Sequence, residues 1–126
     1  MEMRTSLGRV RGLGSAKEGV GHWWAQRVTG IALVPLSIWF VCAVISLIGA
    51  DYATYASWIG QFGNALLMIL TVLVLFYHAA LGMQVVIEDY VSGEGARIIV
   101  LIVTRFVLFA LAASGVLAVI LVALRS

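Results

Sequence analysis

The chain has little charge: 11% of its 126 residues are Asp, Glu, Lys or Arg, whereas 63% are hydrophobic. Soluble domains carry about a quarter charged and about half apolar residues, so the composition excludes an ordinary water-soluble domain. Cysteine is almost missing. Cys42 alone excludes an internal disulfide, an iron–sulfur site built by this chain and the C-x-x-C-H attachment of covalent haem. It lies inside an apolar run, where a small buried hydrophobe is its expected role. Internal sequence repeats are absent, which argues against a transporter built from duplicated halves.

What remains is hydrophobic length. Apolar stretches run over Val28–Ile48, Ile59–Ile87 and Ile98–Leu124, and each exceeds the about 20 residues that cross a hydrocarbon core about 30 Å thick. A spanning segment must satisfy its own backbone polar groups, and runs without period-two alternation choose helices over barrel strands. The expected fold is an all-α membrane protein with three transmembrane helices in residues 22–126. Residues 1–21, rich in Gly, Ser and Arg, read as a flexible basic tail. The first run is too long for a signal-peptide core and no A-x-A site follows it, so it is expected to be a permanent span. Pro35 removes a donor inside that span and is expected to bend it. Ala110, Ser114 and Ala118 form a ridge of small residues that would let another helix approach. Trp23, Trp24, Tyr55 and Trp58 read as interfacial belt residues.

Basic residues in short flanks stay on the cytoplasmic side. Arg4, Arg9, Arg11, Lys17, Arg27 and Arg97 would share one side and only Arg125 the other, which sets the N-terminus inside. The entry HWWAQR to helix one and the exit IEDY from helix two then share the cytoplasmic face. The net charge of +2 is a topology signal, open to lipid headgroups or a cytoplasmic partner; no nucleic-acid role is expected.

His78 stands about eleven residues, or about 16 Å of rise, from the end of helix two, near the midplane. There it must be neutral or ligated, and the plain alternative is an interhelical hydrogen bond worth about 1 kcal/mol. At about 100° per residue, Thr71, Val74, Leu75, Gly82, Val85 and Asp89 lie within about 60° of His78. An imidazole on a mostly apolar face, with no side chain four residues on at Gly82, suits a flat macrocycle such as haem better than it suits an ordinary helix contact. Haem propionates need cations at the surface, and Arg27 with His22 stands on the correct side, although snorkelling to headgroups is the competing role for Arg27. Arg105, about eight residues into helix three, is expected to snorkel or to pair with Glu88 or Asp89 rather than to reach a propionate. Asp89 and Tyr90 offer a carboxylate and a phenol where water begins, suited to proton delivery and to hydrogen-bonding a carbonyl-bearing apolar substrate such as a quinone.

Together, HWWAQRVTG before helix one, HAALGMQVVIEDYV in helix two with its His-x3-Gly-x6-Asp-Tyr spacing, and three spans resemble the small hydrophobic D-type anchor subunit of succinate dehydrogenase, respiratory complex II, a cytochrome b556 component. The resemblance covers the chain from about Gly21. It implies that His78 is one axial ligand of a b-type haem (haem b), whose second histidine comes from a C-type companion anchor subunit. It also implies that Tyr90 hydrogen-bonds a ubiquinone carbonyl and that Asp89 supports that site and its proton supply. Implied partners are the companion anchor, an iron–sulfur subunit and a flavoprotein subunit, in a bacterial inner membrane or, for a eukaryotic chain, the mitochondrial inner membrane. Such a chain would be inactive alone, since it lacks a flavin-binding glycine motif and cluster cysteines. The alternatives are a quinol:fumarate reductase anchor and a non-redox scaffold or transport subunit.

Overall fold

A computed structural model describes residues 16–126, with side chains from Val20 onwards; Arg4, Arg9, Arg11 and most of the segment read as a tail lie outside the described residues. Four helices follow in order: α1 (Ala16–Ser46), α2 (Tyr52–Ile59), α3 (Phe62–Tyr90) and α4 (Glu94–Arg125). Val20–Ser46, Phe62–Tyr90 and Glu94–Arg125 are each long and apolar enough to span a membrane, so the expected three-span helical fold is present.

The helices outrun the hydrophobic runs at the start of α1, the end of α3 and both ends of α4, whereas α1 stops at Ser46, short of Ile48, and the second span begins at Phe62 because Ile59 closes α2. Hydropathy marks the part of a helix that meets hydrocarbon, but backbone hydrogen bonding continues through polar turns until a terminator intervenes. Thus α1 already includes Ala16 to Gly21, and α3 includes the whole Glu-Asp-Tyr cluster in its last turn. Pro35 falls within α1, which continues as helix on both sides of it.

Each reversal has a local cause. Gly49 takes φ +81°, a left-handed conformation that glycine adopts without Cβ strain, and closes the exit from α1. Asp51 then caps α2, its carboxylate accepting from the Thr54 amide at 2.9 Å. Hydrogen bonds from the Thr54 side chain first, and its amide second, hold the Asp51 carboxyl below the usual carboxylate range. The connection between the first two spans therefore contains a short helix that buries Ala56 and Ile59. Trp58 stacks on Trp39 of α1 with centroids 6.0 Å apart and planes at 18°, so it packs across helices and is more than a belt residue. Asn64 donates to the Trp58 carbonyl at 2.9 Å and ties the start of α3 to α2. At the opposite end Gly93, with φ +88°, turns the chain from α3 into α4.

The three spans lie antiparallel in a row. α3 is central and packs on α1 along one side and on α4 along the other, while the α1 and α4 backbones do not come within 8 Å of each other, Cα to Cα, among the described residues. At the α3–α4 crossing, a Cβ placed on Gly115 would come within 3.2 Å of Val72 Cγ1, so the missing side chain sets how closely these helices approach. Lipid supplies no hydrophobic drive between spans, and such close van der Waals packing is what joins them. Little of each span is buried by the chain itself. Ala110, Ser114 and Ala118 face outward on α4, and the Ser114 hydroxyl donates to the Ala110 carbonyl at 2.7 Å.

Candidate functional site

The α1–α3 seam concentrates the polar groups. Antiparallel packing brings the start of α1 against the last turns of α3, and His22, Trp23, Gln26 and Arg27 of α1 meet Gly82 and Val85 of α3 around a cleft of about 420 Å³. The spacing of His22, Gln26 and Thr29 places these three side chains on one helical face, which α1 turns toward α3. His22 Nε2 and Gln26 Oε1 are both buried without a hydrogen-bond partner. Buried polar atoms of this kind cost about 1–3 kcal/mol each when left unpaired, so the cleft is chemically incomplete in the isolated chain.

A Cβ on Gly82 would meet Gln26 Nε2 at 3.7 Å, an ordinary contact. Glycine is therefore not forced there by crowding between the helices, and its missing side chain widens the cleft. Arg27 is exposed, with its guanidinium carbon 5.0 Å from the Trp23 ring centroid, a cation–π arrangement that keeps the charge at the cleft mouth.

His78 lies one turn deeper and is half-buried between α1 and α3. Its Nδ1 is 2.8 Å from Thr29 Oγ1, and its Cε1 would be 3.5 Å from a Cβ on Gly30. The Nδ1–Cε1 edge of the ring thus faces α1.

Asp89 and Tyr90 stand apart from the cleft lining. They occupy the last two positions of α3 at the same end of the bundle and are exposed, Tyr90 to 83%. Arg105 pairs directly with neither Glu88 nor Asp89. Its Nη2 donates to Gln84 Oε1 at 3.1 Å, and Gln84 Nε2 donates to Glu88 Oε1 at 3.1 Å, so the amide bridges the two charges. This replaces the expected carboxylate pair. Arg105 lies about two turns below the level of Glu88, and Gln84 occupies the intermediate turn.

The structure brings His22, Arg27 and Gly82 together, sets His78 beneath them and leaves Asp89 and Tyr90 at the rim. Sequence reasoning missed Gln26, Thr29 and Gln84. Gln26 and Thr29 continue the helical face that begins at His22, but their partners depend on the register between α1 and α3.

A family model described as succinate dehydrogenase/fumarate reductase transmembrane subunit matches residues 1–112. The chain belongs to this family. The succinate dehydrogenase hydrophobic membrane anchor subunit of Rickettsia conorii (strain ATCC VR-613 / Malish 7) is 34% identical over 105 residues, covering 82% of this chain and 83% of its own. The succinate dehydrogenase membrane anchor subunit of Reclinomonas americana is 33% identical over 94 residues, 72% of this chain and 78% of its own. The anchor subunit of Paracoccus denitrificans is 36% identical over 84 residues, 67% of this chain and 65% of its own. As a succinate dehydrogenase/fumarate reductase transmembrane subunit, the chain is a multi-pass membrane protein, and all of the site residues above fall within the matched region.

Proposed function

We propose that the chain anchors a succinate:quinone oxidoreductase in a bacterial inner membrane, contributes one axial ligand to a shared b-type haem and forms part of the quinone-reduction site. The observation that carries this reading is His78, held at the α1–α3 seam beneath a cleft whose polar atoms lack partners. Family membership supports the anchor role, and the names of the relatives favour succinate oxidation over fumarate reduction.

The residues present fit a haem. His78 would hold the iron, Gly82 would leave the plane room to approach, and His22 with Arg27 would meet the propionates. The orphaned His22 Nε2 suits a carboxylate when it carries the ring proton, and a half-turn of the Gln26 amide presents a second donor to the same cleft. When bound, the haem would supply a one-electron redox centre in the membrane. The chain's own task is to orient that group, neutralise its carboxylates and exclude water from the seam.

Tyr90 and Asp89 would serve the quinone. Reduction takes two electrons, supplied by an iron–sulfur partner subunit, and two protons from water. At the exposed end of α3 the Tyr90 phenol can donate a hydrogen bond to a quinone carbonyl. The Asp89 carboxylate can relay protons from the aqueous side. The basic entry to α1 supports placing this end in the cytoplasm. The companion anchor would supply the second axial histidine, and flavoprotein and iron–sulfur subunits would dock on the cytoplasmic face.

In the assembled complex, His78→Ala is expected to abolish or strongly alter the low-spin haem spectrum. An unchanged reduced-minus-oxidised spectrum would refute the ligand assignment.

A further inference from the structure

The hydrogen bonds of Thr29 bear on which nitrogen of His78 is left to bind a metal. Its Oγ1 lies 2.7 Å from the Ala25 carbonyl oxygen and 3.2 Å from that of Gln26, so the single hydroxyl hydrogen is directed to the backbone of its own helix. The 2.8 Å contact with His78 Nδ1 then uses an oxygen lone pair as acceptor, and the hydrogen in that bond must come from the imidazole. The other neutral tautomer would set two lone pairs against each other or pull the hydroxyl away from Ala25. With Nδ1 protonated, Nε2 carries the ring lone pair.

We propose that Thr29 is a positioning residue, holding His78 as the Nδ1–H tautomer with its ring fixed against α1 so that Nε2 is presented to the iron. This rests on the haem reading above. Donation of the second ring N–H to an acceptor fixes a ligating histidine and raises its basicity. The Ala25 carbonyl strengthens the effect, because a hydroxyl that donates is a better acceptor. Gly30 lies beside the same edge of the ring, where an added Cβ would be 3.5 Å from Cε1.

The test compares Thr29→Val, which keeps the shape and removes the hydroxyl, with Thr29→Ser, which keeps the hydroxyl, in the whole assembled complex. Thr29→Val is expected to weaken haem retention by about ten-fold or more on transfer to an excess of apomyoglobin. It is also expected to raise the haem midpoint potential and shift the ferric low-spin resonance. Thr29→Ser should return all three toward the parent values. If the valine complex assembles poorly, Thr29→Ala is read by the same measurements. Parent-like retention, potential and resonance without the hydroxyl would overturn the proposal, as would a serine complex as altered as the valine one. His78→Ala, measured alongside, separates the two levels. Loss of its low-spin signal with an unmoved valine variant leaves the ligand reading standing and removes Thr29 from it, whereas a retained signal removes both.

Discussion

Replacing Gly30 in two steps tests how closely α1 seats the His78 ring. A Cβ at this position would lie 3.5 Å from His78 Cε1, which is ordinary contact. Gly30→Ala therefore adds no clash, and exchanging glycine for alanine inside a helix contributes about 0.5–1 kcal/mol of stability. With His78 holding haem as proposed, the alanine complex is expected to keep its low-spin spectrum and to be unchanged or slightly more heat-stable. Valine extends a methyl about 1.5 Å beyond Cβ, and optimal carbon contacts need about 3.5–4.0 Å. Its branches crowd the ring and the neighbouring turn, at an overpacking cost of about 1–3 kcal/mol. Either the seam opens or His78 rotates away from Thr29, so the low-spin spectrum should diminish in Gly30→Val while succinate oxidation by an artificial acceptor persists. A valine complex with parent-like spectrum and stability, or an alanine complex that loses its haem, would refute the packing deduced for this seam.

Two further substitutions probe the rim and the opposite seam. Tyr90→Phe should impair succinate-to-quinone transfer while sparing succinate oxidation by an artificial acceptor; equal loss of both would indicate defective assembly instead of a quinone contact. Gly115→Leu should destabilise the chain by about 1–3 kcal/mol through overpacking against Val72, measured by denaturation in mixed micelles, and an unchanged transition would show that α3 and α4 do not cross there as described.

Much of the architecture could be read before the structure because three apolar runs leave no soluble alternative. Their limits could not, since segments of low hydrophobicity such as Ala16–Gly21 and Glu88–Tyr90 carry the helical hydrogen bonding beyond the apolar runs. The α2 helix escaped notice because its eight residues fall between two spans and bury just Ala56 and Ile59. At the site, the helical projection through His78 was partly right. Thr71 is buried and Gly82 half-buried on that face, yet Leu75 and Val85 are 47% and 43% exposed because α1 covers only part of it. His22 and Arg27 could be nominated from charge and position along the chain. Thr29 could not, since a threonine in an apolar helix normally bonds back to its own carbonyls, and only the register with α3 adds His78 as a second partner.

The row of spans also sets how changes in this chain combine. The α1–α3 seam carries His78 and Thr29, the α3–α4 seam carries Val72 and Gly115, and the α1 and α4 backbones stay apart among the described residues. Thr29 and Gly115 touch different α3 residues, His78 and Val72, so the energetic effects of substituting them should add, with coupling below about 0.5 kcal/mol. Repacking α4 would then leave the seating of His78 undisturbed, and the outer helix could diversify against lipid or a neighbouring subunit independently of the α1–α3 seam.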